Sequence, residues 1–277
     1  MRMLSLCPLS VLPCSPLEQI DAAHVAGFDA IGLRLWPTLA TDIDIMGDAS
    51  LRRAIQQRLR NTGVRILEVD VVRIGPDTDV TAFEPVLEYA GTLGARSVSV
   101  TGRRREECQD GDEEPTLENL KKLCELASGF SITPMIEFMA YRGFGSLEEA
   151  VRAIELVDHP SLGVCVDVLH LVRSGGSAPS LRAVDPRLIG CIQLCDAPAA
   201  SPEPAQIPKE ARFGRLYPGE GDLPLVELLT ALPADTPVGI EAPSQLRSGL
   251  TVYERADELA RLTRNLLSEA ELARQLG

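Results

Sequence analysis

Eight short runs of apolar, largely β-branched residues recur along this chain, and each gap between them is long enough for a helix. The runs are Met3–Leu6, Ala30–Leu35, Val64–Val72, Ser97–Thr101, Thr133–Phe138, Leu162–Asp167, Ile189–Cys195 and Val238–Glu241. Most are continuously apolar rather than alternating, the pattern of parallel strands buried on both faces. The gaps open with helix-start signals. Ser15-Pro16-Leu17-Glu18 sets a cap, a first-turn proline and an acid at the third helical position, and Ser146–Glu149 and Thr251–Glu254 repeat the capping box. Glycines close several helical stretches, at Gly27, Gly63 and Gly94. Eight β-then-α units allow a closed barrel or an open doubly wound sheet. A nucleotide-binding open sheet would carry GxGxxG, or GxxxxGK followed by Ser or Thr, and neither occurs. The expected fold is therefore α/β, a (β/α)8 barrel, forming a single domain over residues 1–277. The proline-rich stretch Ala197–Pro208 reads as a long loop after the seventh strand.

The composition, 45% hydrophobic and 24% charged, suits a full globular core. A net charge of −13 without a basic block argues against nucleic acid and anionic membranes as partners. No apolar run approaches the roughly 18 residues needed to span a bilayer. Pro8 and Pro13 interrupt an N-terminal stretch that otherwise imitates a signal sequence, so a cytoplasmic protein is expected. The seven cysteines, an odd number scattered through apolar segments, read as reduced thiols packed as small hydrophobes. Cys191 and Cys195 have no second pair to complete a zinc site.

In a barrel, chemistry sits where strands end. Strands five, six, seven and eight each place a carboxylate or amide at that end: Glu137, Asp167, Gln193 and Glu241. One buried charge in an apolar strand is costly unless paired or bound to metal, and three converging acids raise one another's pKa. A divalent cation resolves this, and the four side chains offer it four oxygen ligands. The alternative is that each acid pairs with an arginine or caps the following helix.

These residues resemble a known family. Glu137 on strand five, the D-x-x-H of Asp167 to His170, and Glu241 on the last strand are similar to the xylose isomerase-like barrels. That superfamily includes sugar isomerases and epimerases, inosose and dehydroshikimate dehydratases, and endonuclease IV enzymes. Arg215-Leu216-Tyr217-Pro218-Gly219-Glu220-Gly221 resembles the recurrent R-x-x-P-G-x-G segment after strand seven. Many relatives have histidine where this chain has Gln193. The bacterial 3-dehydroshikimate dehydratases are more similar here, with a glutamine and an aspartate three residues on, as in Gln193 and Asp196, and with like intervals between the four ligand positions. They often carry an additional C-terminal domain, which has no counterpart in this sequence.

The resemblance implies proton abstraction next to a carbonyl, with one divalent metal holding substrate oxygens and Glu137 and Glu241 serving as base and acid. An all-oxygen donor set favours Mn²⁺ or Mg²⁺, and admits Co²⁺, over Zn²⁺. His170 is the natural proton carrier beside the metal. Arg215 is placed to bind a substrate oxygen or carboxylate, or else to pair with Glu220 or Asp222. Arg73, just beyond strand three, is a second carboxylate candidate. Glu68 and Asp70 share one side of strand three and are expected to line the mouth, and Trp36 to wall the substrate. His24 reads as a surface residue and His159 as part of a turn. With three histidines, a trinuclear zinc endonuclease lacks its ligands. None of the three lysines, Lys121, Lys122 and Lys209, lies at a strand end, which argues against Schiff-base chemistry. No Gly-rich segment follows strand eight, which favours a non-phosphorylated substrate. The first expectation is an isomerase or epimerase of a small polyhydroxy carbonyl compound. The alternatives are a dehydratase of the 3-dehydroshikimate type and a ligand-binding barrel without catalysis. A homodimer is a common state for such barrels.

Overall fold

The computed structural model describes residues 2–38, 40 and 42–276. Its strands are β1 (Leu4–Leu6), β2 (Ala30–Arg34), β3 (Arg65–Ile74), β4 (Ser97–Gly102), β5 (Thr133–Glu137), β6 (Gly163–Asp167), β7 (Ile189–Leu194) and β8 (Val238–Ile240). All neighbours pair in parallel, and β8 closes on β1 through Leu4 and Val238, so the expected (β/α)8 barrel is the observed fold. Closure leaves no strand edge unpaired. The helices are α1 (Pro16–Val25), α2 (Ala49–Thr62), α3 (Glu84–Thr92), α4 (Glu113–Ser128), α5 (Leu147–Val157), α6 (Val168–Arg173), α7 (Ala178–Ala183), α8 (Ile207–Phe213), α9 (Leu225–Thr230) and α10 (Val252–Leu276).

Local sequence explains most of these boundaries. Ser15 Oγ accepts from the Glu18 amide at 3.2 Å and Glu18 Oε2 accepts from the Ser15 amide at 2.9 Å, a full capping box at α1. Thr251 and Glu254 form the same box at α10. At α5 only half of it forms: Ser146 caps Glu149, but the Glu149 carboxylate takes the Gly145 amide instead. Gly63 ends α2 in the left-handed region at φ +76°, where glycine has no Cβ to clash.

Alternation along the strands separates two environments. Ile136, Val164, Val166, Ile192, Leu194 and Ile240 belong to the main core, with the buried helix residues. Residues of the opposite parity form a smaller cluster, in which Cys165 and Cys191 pack with Ala30, Leu67 and Met135. That inner set continues upward into the polar residues at the strand ends.

Three expectations need correction. Arg73 lies inside β3, which runs on to Ile74, rather than beyond the strand. The stretch Ala197–Pro208 is not all loop: a 3-10 turn at Pro204–Gln206 leads into α8, which starts at Ile207 and carries Lys209. All seven cysteines are free, but Cys108 is exposed instead of packed. His24 is exposed, and His159 sits in a turn where its ring accepts the Ser161 amide. No helix among the described residues is long and apolar enough to cross a membrane.

Candidate active site at the barrel mouth

Glu137 is the last residue of β5, Asp167 the last of β6, and Gln193 faces Asp167 across the β6–β7 pairing. Glu241 follows β8 directly. Parallel pairing in this register brings all four to one end of the barrel, where they are buried with 7%, 1%, 2% and 6% exposure. Glu137, Gln193 and Glu241 line a cavity there with Asp70, His170 and Arg215. Glu137, Asp167 and His170 offer ligand atoms that all lie within 4.8 Å of one another.

Arg215 is the hub of the site. Its guanidinium, 2% exposed, donates from Nη1 to Asp167 Oδ2 and to the Glu241 carbonyl at 2.9 Å, and its Nη2 lies 3.4 Å from Glu241 Oε2. Nε donates to the Ala211 carbonyl at 2.7 Å. The expected partners Glu220 and Asp222 play no part in this: Glu220 pairs with Arg247, and Asp222 accepts the Ala199 amide. Asp196 anchors the segment that carries Arg215. Its carboxylate accepts the Ala197, Gly219 and Leu223 amides at 2.9–3.0 Å. Gly219 takes φ +89°, and a Cβ at Gly221 would stand 2.5 Å from Asp196 Oδ1. The P-G-x-G motif is thus a wrap around Asp196.

Electrostatics divide the acids. Burial drives the Glu137 carboxyl well above the ordinary range, with Glu241, Asp167 and Asp70 adding to it. Burial also lifts Glu241 to about 7 and Asp70 to about 6, against the pull of Arg215 and Arg34 respectively. Asp167 is buried too, but the Arg215 guanidinium outweighs the burial and holds it below its ordinary value. Burial lowers His170 to about 4, so the ring is neutral at pH 7. Its Nε2 meets Arg215 Nη2, a donor, at 3.4 Å; the neutral ring therefore carries its proton on Nδ1, which has no partner among the described residues.

These shifts set the pH dependence of metal-free stability. Glu241 and Asp70 bind protons more tightly folded than unfolded, where their ordinary values are 4.5 and 3.8. Their contribution therefore stands at low pH and is lost as pH rises through about 6 and 7. His170, lowered from 6.5 to about 4, runs the other way, and its contribution is complete above 6.5. Glu137 and Glu68 extend the loss upward. In EDTA, the melting temperature is expected to fall from about pH 5 to pH 7, where the raised carboxyls Glu241, Asp70, Glu137 and Glu68 together outweigh the opposing His170, at up to about 1.4 kcal/mol per pH unit for each carboxyl that titrates. Circular dichroism melts check this, and a flat or rising profile would contradict it.

The rim is cationic in a chain of net charge −13. Arg73, Arg142 and Arg212 line the cavity, and none has an ion-pair partner among the described residues. Burial and then the neighbouring Arg142, Arg212, Arg34 and Arg104 lower the Arg73 pKa, the mark of like charges held together. Arg34, also in the lining, is paired with Asp42 at 2.9 Å and lies 3.8 Å from Asp70.

Of the remaining candidates, Asp70 lines the cavity whereas Glu68 sits below it, and Trp36 packs on Phe83 at 5.7 Å outside the lining. Sequence reasoning missed Ser99, which donates to Glu137 Oε2 at 3.0 Å. Its signal was present: Ser97, Ser99 and Thr101 alternate along an otherwise apolar strand. It also missed Arg142 and Arg212, which have no local signal because loop and helix packing bring them to the rim.

Residues 20–270 match the xylose isomerase-like TIM barrel family model. The chain belongs to this family. Its members are largely enzymes, isomerases, epimerases and dehydratases among them. A 3-dehydroshikimate dehydratase of Pseudomonas putida is 22% identical over 237 residues, 78% of this chain and 33% of the dehydratase. The chain thus spans about a third of that relative's length. Among solved structures, the IOLI protein with a bound zinc atom shares the fold at TM-score 0.83 and 20% identity, covering 98% of this chain and 99% of that one. The probable 3-DHS dehydratase AsbF from Bacillus anthracis shares it at TM-score 0.77 and 17% identity, with 96% and 99% covered.

Proposed function

We propose that this protein is a divalent-metal-dependent dehydratase of the 3-dehydroshikimate type, acting on a small polyhydroxylated carbonyl compound that carries a carboxylate. One observation carries the metal: Gln193 Oε1 is buried without a hydrogen-bond partner beside three buried carboxyl groups. A buried amide oxygen left orphaned costs about 1–3 kcal/mol, and a cation would satisfy it. Glu137, Asp167, Gln193 and Glu241 would hold the ion, and a hard all-oxygen set of this kind favours Mn²⁺ or Mg²⁺, with Co²⁺ admitted. When bound, the metal supplies a Lewis acid that polarises the substrate carbonyl.

The protein's own residues do the rest. Glu241, a buried carboxylate at the end of β8 that faces the cavity, is the group that takes the proton next to the carbonyl. The proton that Glu241 takes from carbon passes to the leaving hydroxyl, which departs as water, and His170 steadies that oxygen through a hydrogen bond from its unpartnered Nδ1–H without giving up the proton. Arg73, Arg142 and Arg212 supply the cationic rim that a carboxylate needs and a neutral sugar does not. The 3-dehydroshikimate dehydratases among the relatives support this reading. A second reading, isomerisation or epimerisation of a keto-sugar, rests on the presence of two buried carboxyls with raised pKa, Glu137 and Glu241, in one cavity.

Elimination creates conjugation and epimerisation does not, so ultraviolet absorbance separates the two. With Mn²⁺ and 3-dehydroshikimate, absorbance is expected to rise, and EDTA to abolish the rise. No change there, with exchange of a keto-sugar α-proton for solvent deuterium, would move the assignment to the isomerase. Neither reaction with Mn²⁺, Mg²⁺ or Co²⁺ would refute both.

A further inference from the structure

Below the four strand-end residues lies Glu68, on β3, with 2% exposure. Its Oε1 accepts from Gln193 Nε2 at 3.1 Å and from Cys7 Sγ at 3.4 Å. The space in which these three side chains meet exists because β8 carries Gly239. A Cβ there would stand 2.9 Å from Cys7 Sγ and 3.2 Å from Gln193 Cγ. The two ends of a glutamine amide are nearly equal in size, and only their hydrogen bonds distinguish them. The nitrogen end carries two hydrogens and offers a cation nothing. The oxygen end is a hard ligand. A fixed acceptor beneath Gln193 claims the nitrogen and leaves Oε1 as the end without a protein partner.

We propose that Glu68 is a positioning residue for the metal site: it fixes the Gln193 amide so that the oxygen, not the nitrogen, is presented alongside Glu137, Asp167 and Glu241. This inference rests on the metal reading above. Glu68 touches neither metal nor substrate in this role. What it supplies is a hydrogen-bond acceptor, not a charge. This role departs from the position at the mouth that its strand periodicity suggests. It also explains why a polar side chain occupies a barrel interior normally filled by Val, Ile and Leu.

Isothermal titration of the full-length protein with Mn²⁺ tests the proposal without reference to activity. Glu68→Met and the smaller Glu68→Ala remove the acceptor, and at either one the Mn²⁺ dissociation constant is expected to rise by about 10–100-fold. Glu68→Gln keeps an acceptor oxygen while losing the charge, and is expected to stay within about threefold of the parent, well below the range for a lost supporting contact. Circular dichroism melts establish which variants are folded. If a folded acceptor-free variant binds Mn²⁺ as the parent does, the positioning role is wrong and the metal site stands. Glu68→Gln as weak as Glu68→Met overturns it as well, since charge would then be the operative property. No Mn²⁺ binding by the parent removes the metal reading and this inference together.

Discussion

Glu137→Gln is expected to bring Mn²⁺ binding below detection at micromolar protein and to lower turnover by about 10³-fold or more, since a metal acting as Lewis acid supplies several kcal/mol at about 1.4 kcal/mol per tenfold. The fold should persist. Glutamine is isosteric, and burial already favours the uncharged form of the Glu137 carboxyl in the metal-free protein, a form that glutamine imitates. Ser99 Oγ, which donates to Oε2 at 3.0 Å, finds an acceptor again in the amide oxygen. That contact would turn the amide oxygen toward Ser99. Elemental analysis of purified protein before and after EDTA, beside this variant, is the measurement. About one equivalent of Mn²⁺ or Mg²⁺, lost in the variant, is the expected result. A variant that retains metal and full activity after chelation would exclude Glu137 from the site.

Arg215→Met is expected to cost the metal-free protein about 3–5 kcal/mol, the usual effect of breaking a buried ion pair from one side. For a chain of this size that corresponds to a melting temperature lower by roughly 10 °C. The magnitude follows from what remains. Asp167, 1% exposed, would lose the guanidinium that keeps it ionised, and the Ala211 and Glu241 carbonyls would lose their donor. Methionine fills the volume, so the loss reports charge and hydrogen bonding more than packing. Arg215→Lys keeps the charge without the fork and should recover only part of the stability. Melts of both variants in EDTA check this; a Met variant within about 2 °C of the parent, under 1 kcal/mol, would show that Asp167 is compensated by another group.

Much of the mouth was legible in the sequence because its residues sit at the ends of short, regular strands. Glu137 and Asp167 end their strands, Gln193 and Glu241 lie one position from the ends of theirs, and parallel pairing leaves all four one place to meet. Ser99 was legible by the same period-two logic once its partner was known. Glu68 and Asp70 share strand parity, yet one lies in the mouth lining and the other beneath Gln193, because two residues along a tilted strand are a full layer of the barrel.

What the sequence by itself determined is the closed eight-stranded barrel, the helix caps, and the identity and common end of four oxygen-bearing side chains. These follow from short-range rules: strand period, capping geometry and the cost of burying acids without a partner. Only the tertiary structure decided that Arg215 joins Asp167 to Glu241 across 48 and 26 positions of chain, that Asp196 is wrapped by the P-G-x-G turn, and that Arg142 and Arg212 gather with Arg73 at the rim. Such contacts depend on where loops return to the barrel: a guanidinium on a loop has many carboxylates within reach of its sequence, and its folded position selects Asp167 and Glu241.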